Sequence, residues 1–269
     1  MQKSTGATFN MIFGSTSRNI NLLTIFMFVG SVVGLFLVDF TLSNILTMLA
    51  SFYVLNILGI WLTLHRYYSH KSFELSPILK WVLSVIALLA GRGSILGWVY
   101  LHRLHHVYSD EERDPHSPHN LGYKMFGFGH MKKQEGEMKI FLVKELMTPE
   151  QLFIHKWYML LLLPVLVIFA SIDLQLFYWA WLVPAMLIQF STSNFNYFGH
   201  MFGYRNYETK DHSRNNVFLF PLILGEAWHN NHHADAKNYS TRHRWWEVDP
   251  LEFVIKAISK QKILDKKTK

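Results

Sequence analysis

The sequence contains no cysteine, which excludes disulfides, iron–sulfur clusters and thiolate zinc sites. Charge is sparse as well: 17% of residues are charged, against 50% hydrophobic and 16% aromatic. That balance is too apolar for an ordinary soluble domain and too charged for a bundle of spans alone. An integral membrane protein with a sizeable aqueous part satisfies both. No internal repeat and no Gly/Ser- or Pro-rich linker divides the chain, so it reads as a single domain over residues 1–269. No A-x-A cleavage site follows the first apolar run, which therefore reads as a retained span. Histidine, by contrast, is plentiful. There are 15, several of them crowded into short clusters.

A helix needs about 20 apolar residues to cross the hydrocarbon layer. Residues 20–38 and 42–64 meet that requirement and turn at Asp39–Thr41; residues 157–172 and 174–196 turn at Asp173. The expected architecture is all-α, with four transmembrane helices in two hairpins. A helical cap, from residues 65–156 and 197–269, completes it. The arm 157–172 is short and carries Pro164, which neighbouring helices can accommodate. A further run, 78–90, has only 13 residues and ends at Gly91-Arg92-Gly93, so it reads as an interfacial or buried helix. Were it a crossing, the histidines before and after it would face opposite sides. With four spans, all 26 Lys and Arg fall on the histidine side, and the positive-inside rule makes that side cytoplasmic. The net charge of +7 then reflects topology and attraction to anionic headgroups, notably in the tail Lys260 to Lys269. Nucleic-acid binding is excluded, since no such motif accompanies the charge.

Three clusters carry the chemistry: His65-x4-His70, His102-x2-His105-His106 and His229-x2-His232-His233. On a helix, residues i, i+3 and i+4 share a face, and the adjacent pair diverges by about 100°. One turn can therefore aim neighbouring imidazoles at two ions. The i to i+5 spacing of His65 and His70 would splay on a continuous α-helix, which predicts that the helix ends or unwinds near Tyr67. A ninth nitrogen is expected from His200, one turn after Asn196, whose amide suits a metal-bound water or a neighbouring ligand. Imidazole alone leaves zinc, copper, iron and nickel open. Zinc sites ordinarily close at four ligands, so this many histidines demand at least two ions. Isolated histidines at a membrane surface are ordinarily interfacial polar residues, and His116, His119, His130, His155, His212 and His243 are read so.

These clusters resemble, in order and spacing, the three histidine boxes of the membrane fatty acyl desaturases. Gly225-Glu-Ala-Trp-His-Asn-Asn-His-His233, followed by Arg242-His-Arg-Trp-Trp-Glu247, is similar to the bacterial and cyanobacterial delta-9 branch. Asp114-Pro-His116, Asn196-x3-His200 and Gly203-Tyr-Arg205 also match, and the resemblance extends over about residues 52–249. It implies four spans, a cytosolic cap, two Fe2+ ions and O2-dependent insertion of a cis double bond into a saturated acyl chain. By motif position His65, His70, His102, His106 and His232 would hold one iron. His105, His200, His229 and His233 would hold the other, with Asn196 reaching it through water. Two departures stand out. Ala227 replaces the usual glycine, and Tyr100-Leu101 stand where acyl-CoA enzymes commonly carry Arg-Asp. The second puts acyl-CoA in doubt among the CoA-, lipid- and carrier-linked forms of the substrate.

Glu226 and Asp114 are expected to accept the second ring N–H of ligands, as are Asp110 and Glu247. The stripe Trp61, Leu58, Val54 and Ser51, leading back along the second span, is expected to line the acyl tunnel. No haem, flavin or iron–sulfur motif is present, so electrons must come from an external donor such as a ferredoxin or a cytochrome b5-like protein. Two alternatives stand beside this reading. One is a lipid or hydrocarbon hydroxylase on the same scaffold; the other is a non-catalytic membrane metal-binding or transport protein, which would place polar residues along the spans.

Overall fold

The structure is a computed structural model that describes residues 14–125 and 140–260. Most of the predicted basic tail, and His130, lie outside them. Every regular element among the described residues is helical; the extended segments make only two isolated bridges, Tyr204 with Asn215 and Asn215 with Trp228.

Four helices are long and apolar enough to cross a membrane: α1 Ser17–Gly34, α2 Leu42–Ser69, α5 Pro149–Ile172 and α6 Leu174–Met201. Between them stand α3 Pro77–Leu89 and α4 Ile95–Tyr108; α7 His229–Ala234 and α8 Pro250–Ile258 follow. Local sequence explains where the long ones begin. Thr16, Thr41, Thr148 and Asp173 each accept a hydrogen bond from the backbone N–H three residues on, at 3.2, 3.1, 3.3 and 2.9 Å. Pro149 occupies the first turn of α5, where its missing N–H costs nothing. Helix α5 runs unbroken through Pro164 and starts eight residues ahead of Trp157, so this arm is longer than its hydropathy alone suggests. It also turns its apolar residues outward: Val167 and Ile168 are 67% and 59% exposed. Such side chains belong in a lipid environment rather than water.

The described residues form two compact units. The first comprises 14–59, Ser84–Tyr100 and 140–189; the second comprises Ile60–Leu83, 101–125 and 190–260. Within the first, Gly34 permits a close crossing, since a Cβ there would lie 2.0 Å from the ring of Tyr178. The Tyr178 hydroxyl donates to the Ser31 carbonyl at 2.7 Å, and Trp181 Nε1 to that of Leu89 at 2.7 Å. The first unit also has an open pocket of about 360 Å³ whose lining includes Ser51, Val54, Val165, Phe169 and Trp181.

The end or unwinding of α2 expected near Tyr67 takes the form of a widened helix that runs on to Ser69. From Val54 to Ser69 it widens into a π-helix, closed by i→i+5 bonds such as His70 N–H to His65 C=O at 3.1 Å. The wider turn stacks residue i+5 above residue i. The spacing that an α-helix would splay is thereby satisfied without breaking the helix.

Candidate metal centre

Nine of the histidines singled out from the sequence converge in the second unit. In one group, ring nitrogens of His65, His70, His102, His106 and His232 lie within 4.8 Å of one another; in another, those of His105, His200, His229 and His233 do. The inward atoms are Nε2. His65 and His232 approach at 3.1 Å, His70 and His102 at 2.7 Å, His106 and His232 at 3.1 Å, and His200 and His229 at 3.0 Å. Helix α4 supplies His102 and His106 to the first group and His105 to the second; α7 supplies His232 to the first and His229 and His233 to the second. Adjacent positions on one helix diverge by about 100°, which is how a single turn serves two points.

Carboxylates stand behind the rings. Asp114 Oδ2 lies 2.9 Å from His105 Nδ1, Asp110 Oδ2 2.8 Å from His200 Nδ1, and Asp211 Oδ2 2.6 Å from His233 Nδ1. Glu226 Oε2 lies 2.9 Å from His65 Nδ1. An ionised carboxylate only accepts, so each aspartate contact calls for the N–H on Nδ1 and leaves Nε2 with its lone pair. Asp114 is itself held by the backbone N–H groups of Asp110 and His116 at 2.8 and 3.0 Å, and Asp110 by the Ser117 hydroxyl at 2.7 Å. Asp211 accepts from the Thr209 hydroxyl at 2.8 Å.

The electrostatics agree with neutral, lone-pair-inward rings. Burial first, then crowding by neighbouring imidazoles, holds His70, His102, His106, His229 and His232 well below the usual histidine value. Burial takes His233 to about 4, partly opposed by Asp211. His105 is the exception: burial would lower it, but Asp114, Asp110 and Asp211 together raise it. Burial also opposes ionisation of Asp110, Asp114 and Asp211, yet their histidine partners bring all three far below the carboxylate range.

Whether these residues suit metal ions is answered by the atoms that lack anything else to do. His105 Nε2 and His233 Nε2 are buried with no hydrogen-bond partner. Orphaned acceptors in the interior are costly, and several nitrogen lone pairs converging at hydrogen-bond distance repel unless a cation sits between them. The donor set fits.

Sequence reasoning missed three participants. Asp211 sits in a loop with no motif of its own. His116, read as an interfacial residue, packs its ring 4.3 Å from that of His105, and burial takes it down to about 3. Arg66 joins the first box to distant segments: its Nε donates to Glu226 at 2.6 Å, and its two terminal nitrogens to Asp249 at 2.9 and 3.1 Å. The remaining isolated histidines stay apart. The rings of His119 and His212 pack against each other, tilted, at 4.2 Å, His155 meets Ser94, and His243 meets Tyr207. Asn196 is half-buried one turn before His200. Trp61 is buried and edge-on to both His65 and Phe195, whose ring in turn abuts His229. Leu58 is half-buried, while Ser51 and Val54 line the pocket of the first unit.

The decisive comparison is with protein families: residues 42–262 match the fatty acid desaturase family. The chain belongs to the fatty acid desaturases. It is 33% identical to delta-9 acyl-lipid desaturase 2 of Arabidopsis thaliana, over 76% of this chain and 68% of that one. It is 30% identical to the sn-1 stearoyl-lipid 9-desaturase of Anabaena variabilis, over 87% and 89%. Hex-5-enoyl-[acyl-carrier protein] acetylenase of Moorena producens is 28% identical over 92% and 85%. Membership makes this desaturase an oxidoreductase acting on fatty acyl chains at a membrane, and its histidine groups are able to hold metal ions.

Proposed function

We propose that this desaturase uses two iron ions and O2 to place a cis double bond at the delta-9 position of a saturated acyl chain. The observation that carries this reading is the pair of histidine groups, five and four rings, with Nε2 inward and carboxylates behind. His65, His70, His102, His106 and His232 would hold one iron. His105, His200, His229 and His233 would hold the other, with Asn196 serving it through water. Bound iron would supply the oxidising power, drawn from O2, that takes hydrogen from two adjacent unactivated methylenes. The chain's own side chains do the rest. Asp110, Asp114, Asp211 and Glu226 hold the Nδ1 protons and fix the ring orientations. Trp61 and Phe195 supply an aromatic wall that keeps water from the histidines. No acid–base dyad is required.

The four long helices are proposed as two hairpins of one domain, residues 1–269, with the histidines on the cytoplasmic side and α3 at the interface. Ile78, Trp81, Val82 and Val85 form an exposed apolar face on α3 suited to that position. Tyr100-Leu101 in place of a basic–acidic pair favours lipid- or carrier-linked chains over acyl-CoA, and the named substrates of the three relatives are of those two kinds. Trp61, Leu58, Val54 and Ser51 are proposed to bound the acyl chain. Electrons would arrive from a separate ferredoxin or cytochrome b5-like donor.

The test is expression in a host unable to make unsaturated fatty acids, with mass-spectrometric location of new double bonds. A delta-9 monoene is expected; hydroxylated chains in its place would overturn the desaturase reading. With Ser51→Trp the product profile should move toward shorter chains, and an unchanged profile would remove Ser51 from the tunnel.

A further inference from the structure

The two histidine groups differ in what stands behind them. Three of the four rings in one group lean on carboxylates, those of Asp110, Asp114 and Asp211. Among the described residues none of these three pairs with a lysine or arginine; histidine is their only ionic partner. In the five-ring group Glu226 stands behind His65 and is shared with the Arg66 guanidinium at 2.6 Å, which also pairs with Asp249. A second guanidinium, Arg103, is fixed nearby by the carbonyls of Ser69 and Tyr68 at 2.8 and 2.7 Å.

Resting on the two-metal reading above, we propose that the positions are unequal: the four-histidine group holds its cation more tightly, although it offers one imidazole fewer. A carboxylate accepting Nδ1–H makes the opposite nitrogen a stronger donor, and its uncompensated charge attracts a dication across a poorly screened interior. Removing one such partner typically costs 10–100-fold in metal affinity. Three of them outweigh a fifth neutral ring, because Glu226 divides its charge between His65 and Arg66.

The full-length protein in lipid nanodiscs, loaded anaerobically with Co2+ as probe, is dialysed against stepped chelator concentrations while cobalt per chain is counted. Loss in two steps is expected, with a plateau at one ion. His70→Ala should spare the late step and His229→Ala should abolish it. Asp211→Asn should move the late step to chelator concentrations at least about 10-fold lower, and Glu226→Gln should move only the early one. Asp114→Asn makes the same test should Asp211→Asn fail to fold. Loss in a single step, a late step that survives His229→Ala, or one unmoved by both aspartate substitutions would overturn the inequality and leave the two-metal reading standing. A wild-type chain that takes up no more than one ion would overturn both.

Discussion

Arg66 lies inside the first histidine box, between its two rings in sequence, and ties the box to distant segments. Its guanidinium lies between Glu226 and Asp249, all three almost fully buried. A buried carboxylate stripped of its cation costs roughly 3–5 kcal/mol. Arg66→Met is therefore expected to lose about that much stability, read as a lowered unfolding midpoint in detergent. A midpoint within about 1 kcal/mol of the parent would mean the pair is not what holds these segments. Gly225 is constrained from the other side, because a Cβ there would meet Asp249 Oδ1 at 2.2 Å. Gly225→Ala should displace Asp249 and lower metal content, while Ala227→Gly, restoring the residue usual in the branch, should leave it unchanged. The box histidines are legible in the sequence because each box is local. Arg66 and Asp249 are not, being 183 positions apart with nothing in the sequence to couple them.

Element by element, α2 is where the structure adds most to the expectation. Sequence spacing calls for the helix to end or unwind near Tyr67; in the structure it widens its turns and continues to Ser69. The registers are separable by experiment. Moving the second histidine back one place, by combining Ser69→His with His70→Ser, would keep the rings on one face of an α-helix but misalign them in a π-helix. The protein should then bind one ion per chain instead of two; two retained ions would contradict the wide register. Helix α7 is too short to hold itself and is fixed from outside. Asn215 Oδ1 accepts from the backbone N–H groups of Asn230 and Asn231 at 2.9 and 3.2 Å. Glu247 accepts from the Asn231 side chain at 2.8 Å and from the Tyr204 hydroxyl. Asn215→Ala would leave those donors buried and unpaired, at a cost of about 1–3 kcal/mol. A drop of that size in unfolding midpoint, with metal lost in parallel, is expected.

For the molecule as a whole, the depressed histidines predict how acid acts. His70, His102, His106, His229 and His232 are held below the value of about 6.5 they recover on unfolding. The unfolded chain consequently binds more protons once pH drops past that point. Stability of the metal-free protein is complete above about pH 7.5 and is lost as pH falls, by about 1.4 kcal/mol per pH unit for each proton gained. His105, raised instead, opposes the trend by a single group. Melting temperature should fall steeply between about pH 6.5 and 5; a level profile there would contradict buried neutral rings. The absence of cysteine makes topology directly testable. A lone cysteine at Trp245 should react with an impermeant thiol reagent only from the cytoplasmic side, and one at Asp173 only from the other. Composition and hydropathy by themselves determined the helical class and the four long apolar helices, because lipid compatibility is written in consecutive residues. Local spacing likewise marked the boxes. Which carboxylate backs each ring, and how a wide helix brings His65 to His70, were decided only by the tertiary structure. Contacts among the rings join residues up to 167 positions apart, and nothing in a linear pattern fixes which distant charge a buried ring will face.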